Sequence, residues 1–166
     1  MGYDSFLYKL FLFLHVLAVI IGFGGVLLNG LYASRARRYT PDQSLAVMEV
    51  NGFVSMKVAE IFIYLAAVFG FGLVGLSDDV YTFGQLWIWL SIIIYVVYLG
   101  ISHGVLMPRV RALTALQREL AGGTAGPDAP GRIEALGKQI GASSGVLHLA
   151  FVVILILMIW KPGAGL

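Results

Sequence analysis

Three histidines, His15, His103 and His148, are the side chains best suited to chemistry, and each sits in an otherwise apolar stretch. An ionisable group in hydrocarbon is costly, so it turns to a partner, a cofactor or water. Imidazole also ligates metals and haem iron. His103 lies five residues before Pro108, and His148 lies six residues after Ala142. At a rise of about 1.5 Å per residue, both stand about 8–9 Å inside the same membrane boundary. Two imidazoles at one depth on sequential antiparallel helices form the arrangement a bis-histidine haem needs. The pair would also suit a copper or zinc ion, or a direct hydrogen bond. His15 approaches from the opposite side, about 10 Å or more from that plane. One iron cannot reach all three, so His15 is left for a second cofactor, a substrate, a proton or a partner subunit.

Other polar residues fall near the same boundary. Lys57 and Glu60 are one turn apart, and a local ion pair with a snorkelling lysine is the ordinary expectation. Their functional alternative is a proton path, or a contact with a haem propionate or a quinone. Lys57, Arg109 and Arg111 suit propionates or lipid phosphates. Tyr8, His15, Gly22 and Asn29 recur every seven residues and share one helix face, with Gly24 and Gly25 close by. Such glycines let a second backbone approach, and they would equally admit a flat porphyrin. Gly70, Gly72 and Gly75 form a similar set further on. The chain has no cysteine, which removes disulfides, thiolate metal sites and cysteine-held clusters. No GxSxG elbow, P-loop or HExxH motif is present.

The elements that must position these residues follow from composition. Of 166 residues, 59% are hydrophobic and 12% charged, against about 25% charged in soluble domains. Segments 6–31, 58–76, 86–107 and 142–160 each reach the roughly 20 apolar residues of a membrane span. They predict an all-α bundle of four transmembrane helices in one membrane domain, joined by connections 34–57 and 108–141. The first span is too long for a removable leader, whose apolar region runs to about 7–15 residues. Nine of the eleven lysines and arginines fall in or beside the first and third connections, and the second carries Asp78 and Asp79. The positive-inside rule then places those two connections in the cytoplasm and both termini outside.

Thr40-Pro41-Asp42 predicts a helix start. The short helix that follows is expected to lie along the interface and to break at Asn51-Gly52. Residues 109–120 are expected to continue the third helix, 121–131 to form a flexible turn and 132–140 a return helix. Tyr81, Phe83, Trp87, Trp89 and Trp160 are expected at the outer headgroup level. The basic residues are accounted for by membrane-adjacent connections without invoking nucleic acid.

The run Lys9-Leu-Phe-Leu-Phe-Leu-His15, followed by Gly22-Phe-Gly-Gly25, resembles the opening of several small bacterial membrane families. It is most similar to an uncharacterised family of four-helix integral membrane proteins. More distantly it resembles the copper-resistance D family and the small membrane protoporphyrinogen oxidase. The acidic turn before Trp87 and Trp89, Pro108-Arg109, and the ending Leu157-Met-Ile-Trp-Lys161-Pro162 extend the likeness across most of the chain. The resemblance implies a bacterial inner-membrane, multi-pass protein. From the oxidase it implies haem b held by a first-helix histidine, which matches His15. This chain lacks the oxidase's tryptophan-alanine-glycine and leucine-proline-arginine pattern after that histidine, having Leu27-Leu-Asn29 instead.

The combined expectation is a membrane b-type haem protein for electron transfer or redox sensing. His103 and His148 are its favoured axial pair, and His15 a further ligand or proton-handling group. A homodimer or a subunit of a larger complex, with a quinone or redox protein as partner, fits that role. Two alternatives remain: a porphyrinogen-oxidase-like enzyme, and a cofactor-free scaffold or accessory subunit.

Overall fold

A computed structural model gives the structure, which describes residue 2, residues 4–36 and residues 38–164. Arg37, one of the basic residues of the first connection, lies outside them. The described residues form four long helices and no strand: α1 (Phe6–Ala36), α2 (Pro41–Leu76), α3 (Leu86–Ala121) and α4 (Ala129–Trp160). All four are long and apolar enough to cross a membrane.

The helices outrun the expected spans at one end. α2 and α3 have 36 residues each, about 54 Å at the α-helical rise, whereas a bilayer core is about 30 Å thick. The surplus gathers at the basic end as a helical head. There Ala36, Met48 and Leu113 are buried together, with Val47, Ile133, Leu136 and Ile140 packed around them. Arg118 Nε on α3 meets Glu49 Oε1 on α2 at 2.9 Å, and Arg109 donates to Ser143 Oγ on α4 at 3.0 Å. The segment expected to lie along the interface therefore stands up as the first half of α2. Thr40 is its N-cap in extended conformation, with Pro41 in the first turn and the Gln43 side chain accepting from the Thr40 N–H at 3.4 Å.

Asn51-Gly52 does not break this helix, contrary to the sequence expectation. The chain passes through a π-helical segment, Val54–Ala59, and continues. Ser55 Oγ lies 2.7 Å from the Asn51 carbonyl and 2.7 Å from Asn29 Oδ1 on α1. Such back-bonding to the carbonyl one turn earlier competes with the main-chain ladder and bends helices. α3 carries a second π-helical segment, Ser102–Leu106, directly before Pro108. Proline offers no N–H to the carbonyl four residues back, and its ring crowds that carbonyl. The ladder shifts instead to a longer bond, Met107 N–H to the Ser102 carbonyl. The expected flexible turn narrows to residues 122–128, and α4 runs unbroken from Ala129.

Within the membrane portion α1 lies along α2. The heptad-spaced stripe of α1 forms the seam. A Cβ on Gly22 would sit 3.0 Å from Ile63 main chain, and one on Gly25 would sit 3.1 Å from Ala59 Cβ. Gly70 receives the His15 ring and Gly72 the Phe11 ring. Helix packing accounts for Gly22, Gly25, Gly70 and Gly72, whereas Gly24 and Gly75 meet nothing within 4 Å. α3 pairs with α4 through larger side chains instead, Trp87, Ile88 and Leu157 at the far end. A middle layer of Phe23, Ile63, Tyr98 and Leu147 joins all four helices, with Phe23 stacked on Phe151 at 4.1 Å.

α2 and α3 are held apart between these layers. No Cα of residues 60–76 comes within 8 Å of one in 86–106. Long side chains cross that gap, including Tyr95, whose hydroxyl donates to the Ile63 carbonyl at 3.2 Å. At the far end Trp89 and Trp160 are exposed, as headgroup anchors are. Trp87 is not: it is 6% exposed and donates through Nε1 to Gln85. Tyr81 packs edge-on against it under Lys161. These two aromatics close the far end of the bundle instead of facing headgroups.

Candidate functional site

The three histidines go to three different places. His15, on α1, faces α2, and its Nδ1 lies 2.7 Å from the Ala66 carbonyl. A carbonyl can only accept, so Nδ1 carries the proton and Nε2 is left with its lone pair. His148, on α4, is half-buried, and its Nε2 is fully buried with no hydrogen-bond partner. His103, on α3, is the centre of a cluster.

That cluster joins α2 to α3. His103 Nε2 lies 2.9 Å from Glu60 Oε1 and 2.9 Å from the Tyr64 hydroxyl. Tyr64 in turn lies 3.0 Å from the same Glu60 oxygen. His103 Nδ1 is 2.9 Å from the Leu99 carbonyl. The proton count is constrained by these contacts. Nδ1 must donate to Leu99. The Nε2–Oε1 contact then needs one shared proton, since a bare imidazole nitrogen and a bare carboxylate would both be acceptors. The couple is either imidazolium with carboxylate or imidazole with carboxylic acid, and the Tyr64 hydroxyl serves whichever atom lacks a donor.

Both π-helical segments place this cluster. Glu60 is the first residue after the α2 segment, and His103 is the second residue of the α3 segment. Segments of this kind are frequent at functional sites. The side chains are partly open: Glu60 is 24% exposed, His103 39%. His103 is fourteen residues from the exposed Trp89, which is about 21 Å along α3. That depth is inside the apolar core and near its basic boundary.

The remaining sequence candidates sort as follows. Glu60 pairs across to α3 and not with Lys57, which is exposed and meets no carboxylate among the described residues. The local ion pair is replaced because the α2 π-helical segment ends between the two positions and re-aims Glu60. Arg109 is turned to Ser143 on α4. Arg111 is exposed, two turns beyond His103 on α3. Tyr64 is absent from the sequence candidates, although its place four residues after Glu60 puts both on one helix face. Among the described residues no group of three or more His, Asp or Glu side chains gathers, so the copper or zinc site weighed from sequence is not assembled.

The donor chemistry fits haem in part. His15 has the carbonyl-anchored Nδ1 of an oriented ligand, and His148 has an orphaned buried nitrogen. His103 would have to release Glu60 and Tyr64 before its Nε2 could bind iron. Two cavities, about 350 and 240 Å³, open at the head beside Arg35 and Arg38 and beside Pro41 and Gln117. Neither is lined by a histidine.

Four apolar helices with an ionisable cluster inside the apolar zone define a multi-pass integral membrane protein. The chain belongs to the family described as predicted integral membrane protein (DUF2269), whose pattern it matches over residues 9–162. That match bears out the uncharacterised membrane family, and it does not extend to the copper-resistance D family or to protoporphyrinogen oxidase. No curated protein and no solved structure matches the chain.

Proposed function

We propose that this protein is a b-type haem protein of the bacterial inner membrane, for electron transfer or redox sensing, in which the Glu60–Tyr64–His103 cluster handles the accompanying proton. The observation that carries this reading is the 2.9 Å His103–Glu60 contact, which holds one shared proton inside the membrane zone. Adding an electron to a carrier in a low-dielectric medium favours uptake of a proton nearby, because unpaired charge there is costly. The positive-inside rule puts the head, and hence the cluster, on the cytoplasmic side.

Haem, when bound, supplies reversible one-electron chemistry. The support for it here is the unpartnered Nε2 of His148 and the anchored ring of His15. With His103 engaged by Glu60, His148 and His15 are the side chains whose Nε2 is free, and each would hold a group at its own place. Residues of the cluster hold and pass the proton at Glu60 Oε1 and His103 Nε2.

Visible spectra of the purified protein, oxidised and reduced, after expression with ample haem, test the reading. A Soret band that shifts on reduction is expected, reduced strongly in His148→Ala or His15→Ala. A colourless protein whose histidine variants still assemble overturns the haem assignment and leaves the cofactor-free scaffold. Oxidation of porphyrinogen by the purified protein would instead identify the enzyme alternative.

A further inference from the structure

We propose that the Glu60–Tyr64–His103 cluster, at the open side of the gap between α2 and α3, binds the headgroup of a lipid-soluble quinone. This rests on the proton-handling reading of the cluster and adds the chemical class of what it meets.

Four observations support it. First, the cluster is inside the membrane zone and partly exposed, with Tyr64 40% open, so a lipid-soluble ligand can meet it from the bilayer. Second, α2 and α3 are spread here, with no main-chain approach within 8 Å. A flat ring therefore meets side chains, not a closed helix seam. Third, Gly100 and Gly104 bracket His103, and a Cβ at either position would touch nothing within 4 Å. Neither glycine is packed against a neighbouring helix, so this stretch of α3 is uncovered on the glycine side. The Tyr64 and His103 rings lie at 27° to one another with centroids 6.2 Å apart, leaving aromatic faces beside that stretch. Fourth, the hydrogen-bonding set is mixed. A quinone presents carbonyl acceptors and a quinol presents hydroxyl donors. The Tyr64 hydroxyl can turn from Glu60 to donate to a quinone carbonyl, because the shared His103–Glu60 proton still serves that carboxyl, and the second Glu60 oxygen can accept from a quinol. The same carboxyl disfavours a phospholipid phosphate, which seeks unopposed Lys or Arg.

The test uses the full-length protein in lipid nanodiscs with an azido derivative of decylubiquinone as photoprobe. Saturable labelling is expected on peptides containing residues 60–64 and 100–104, displaced by unlabelled decylubiquinone and not by excess phosphatidylglycerol. His103→Gln and Glu60→Gln should raise the half-saturating probe concentration about tenfold, the loss of one hydrogen bond to a charged group. Tyr64→Phe, which deletes a single oxygen from an exposed side chain, should preserve the fold and raise it severalfold. Labelling that does not saturate, that maps elsewhere, that phosphatidylglycerol displaces, or that is unchanged in a folded Tyr64→Phe protein overturns the proposal. A colourless protein that is labelled as described fails the haem reading alone. A haem-containing protein without labelling fails this one alone.

Discussion

Glu60 and His103 illustrate how a single contact can carry more information than the residues that make it. Each is visible in the sequence as an ionisable group in an apolar stretch, and each points there to a different partner. Spacing on an ideal helix pairs Glu60 with Lys57. That pairing fails because the π-helical segment before Glu60 re-aims the carboxyl toward α3. A double-mutant cycle on Glu60→Gln and His103→Gln should give a coupling of about 0.5–1 kcal/mol, the scale found for hydrogen bonds between membrane helices. The pair is partly open, which keeps the value modest. Unfolding in mixed micelles measures it, and additive single losses would show that the two side chains do not interact. At the α1–α2 seam the contrast between two glycines is sharper. Gly22→Ala presses a methyl onto Ile63 main chain at 3.0 Å and should cost about 1–3 kcal/mol. Gly24→Ala meets nothing within 4 Å and should be neutral in the same unfolding assay.

Among the elements, the four spans are legible in the sequence because a run of about twenty apolar residues matches the thickness of a bilayer core. The extension of the third helix through residues 109–120 is legible too, from its amphipathic spacing. What the sequence hides is continuity. Asn51-Gly52 reads as a stop, and Pro108 reads as a boundary, yet both helices pass through by widening one turn. That outcome depends on neighbours: Ser55 is stabilised in its bridging position by Asn29 of α1, a contact no local pattern announces. Trp87 misleads for the same reason, since only the packing of α3 on α4 decides which tryptophan turns inward. The α3 segment should depend on its proline. Pro108→Ala restores the missing N–H and removes the ring, so α3 should tighten to regular α-helix. In that background the Glu60–His103 coupling should fall to nearly zero. A coupling that persists unchanged would show that Pro108 does not set the position of His103.

At the scale of the whole molecule, the head is a second packed unit standing on the membrane bundle, with its own buried residues and its own ion pair. Its basic character gives a direct topology test, made clean by the absence of native cysteine. Thr124→Cys, in the head loop, should react with an impermeant maleimide only after the cells are opened. Asp79→Cys, in the acidic loop at the far end, should react in intact cells. The reverse pattern would invert the orientation derived from lysine and arginine. The two widened turns also have a mechanical meaning. α1 and α4 run from membrane to head without interruption, whereas α2 and α3 each carry a joint where one unit meets the other. Removing one residue's worth of winding from either joint turns everything beyond it by about 100°. Glu60 and His103 sit at those joints, so the winding of the two segments sets how the carboxyl and the imidazole face one another. The polar contact in the bilayer and the join between head and bundle thus fall at one place in the chain.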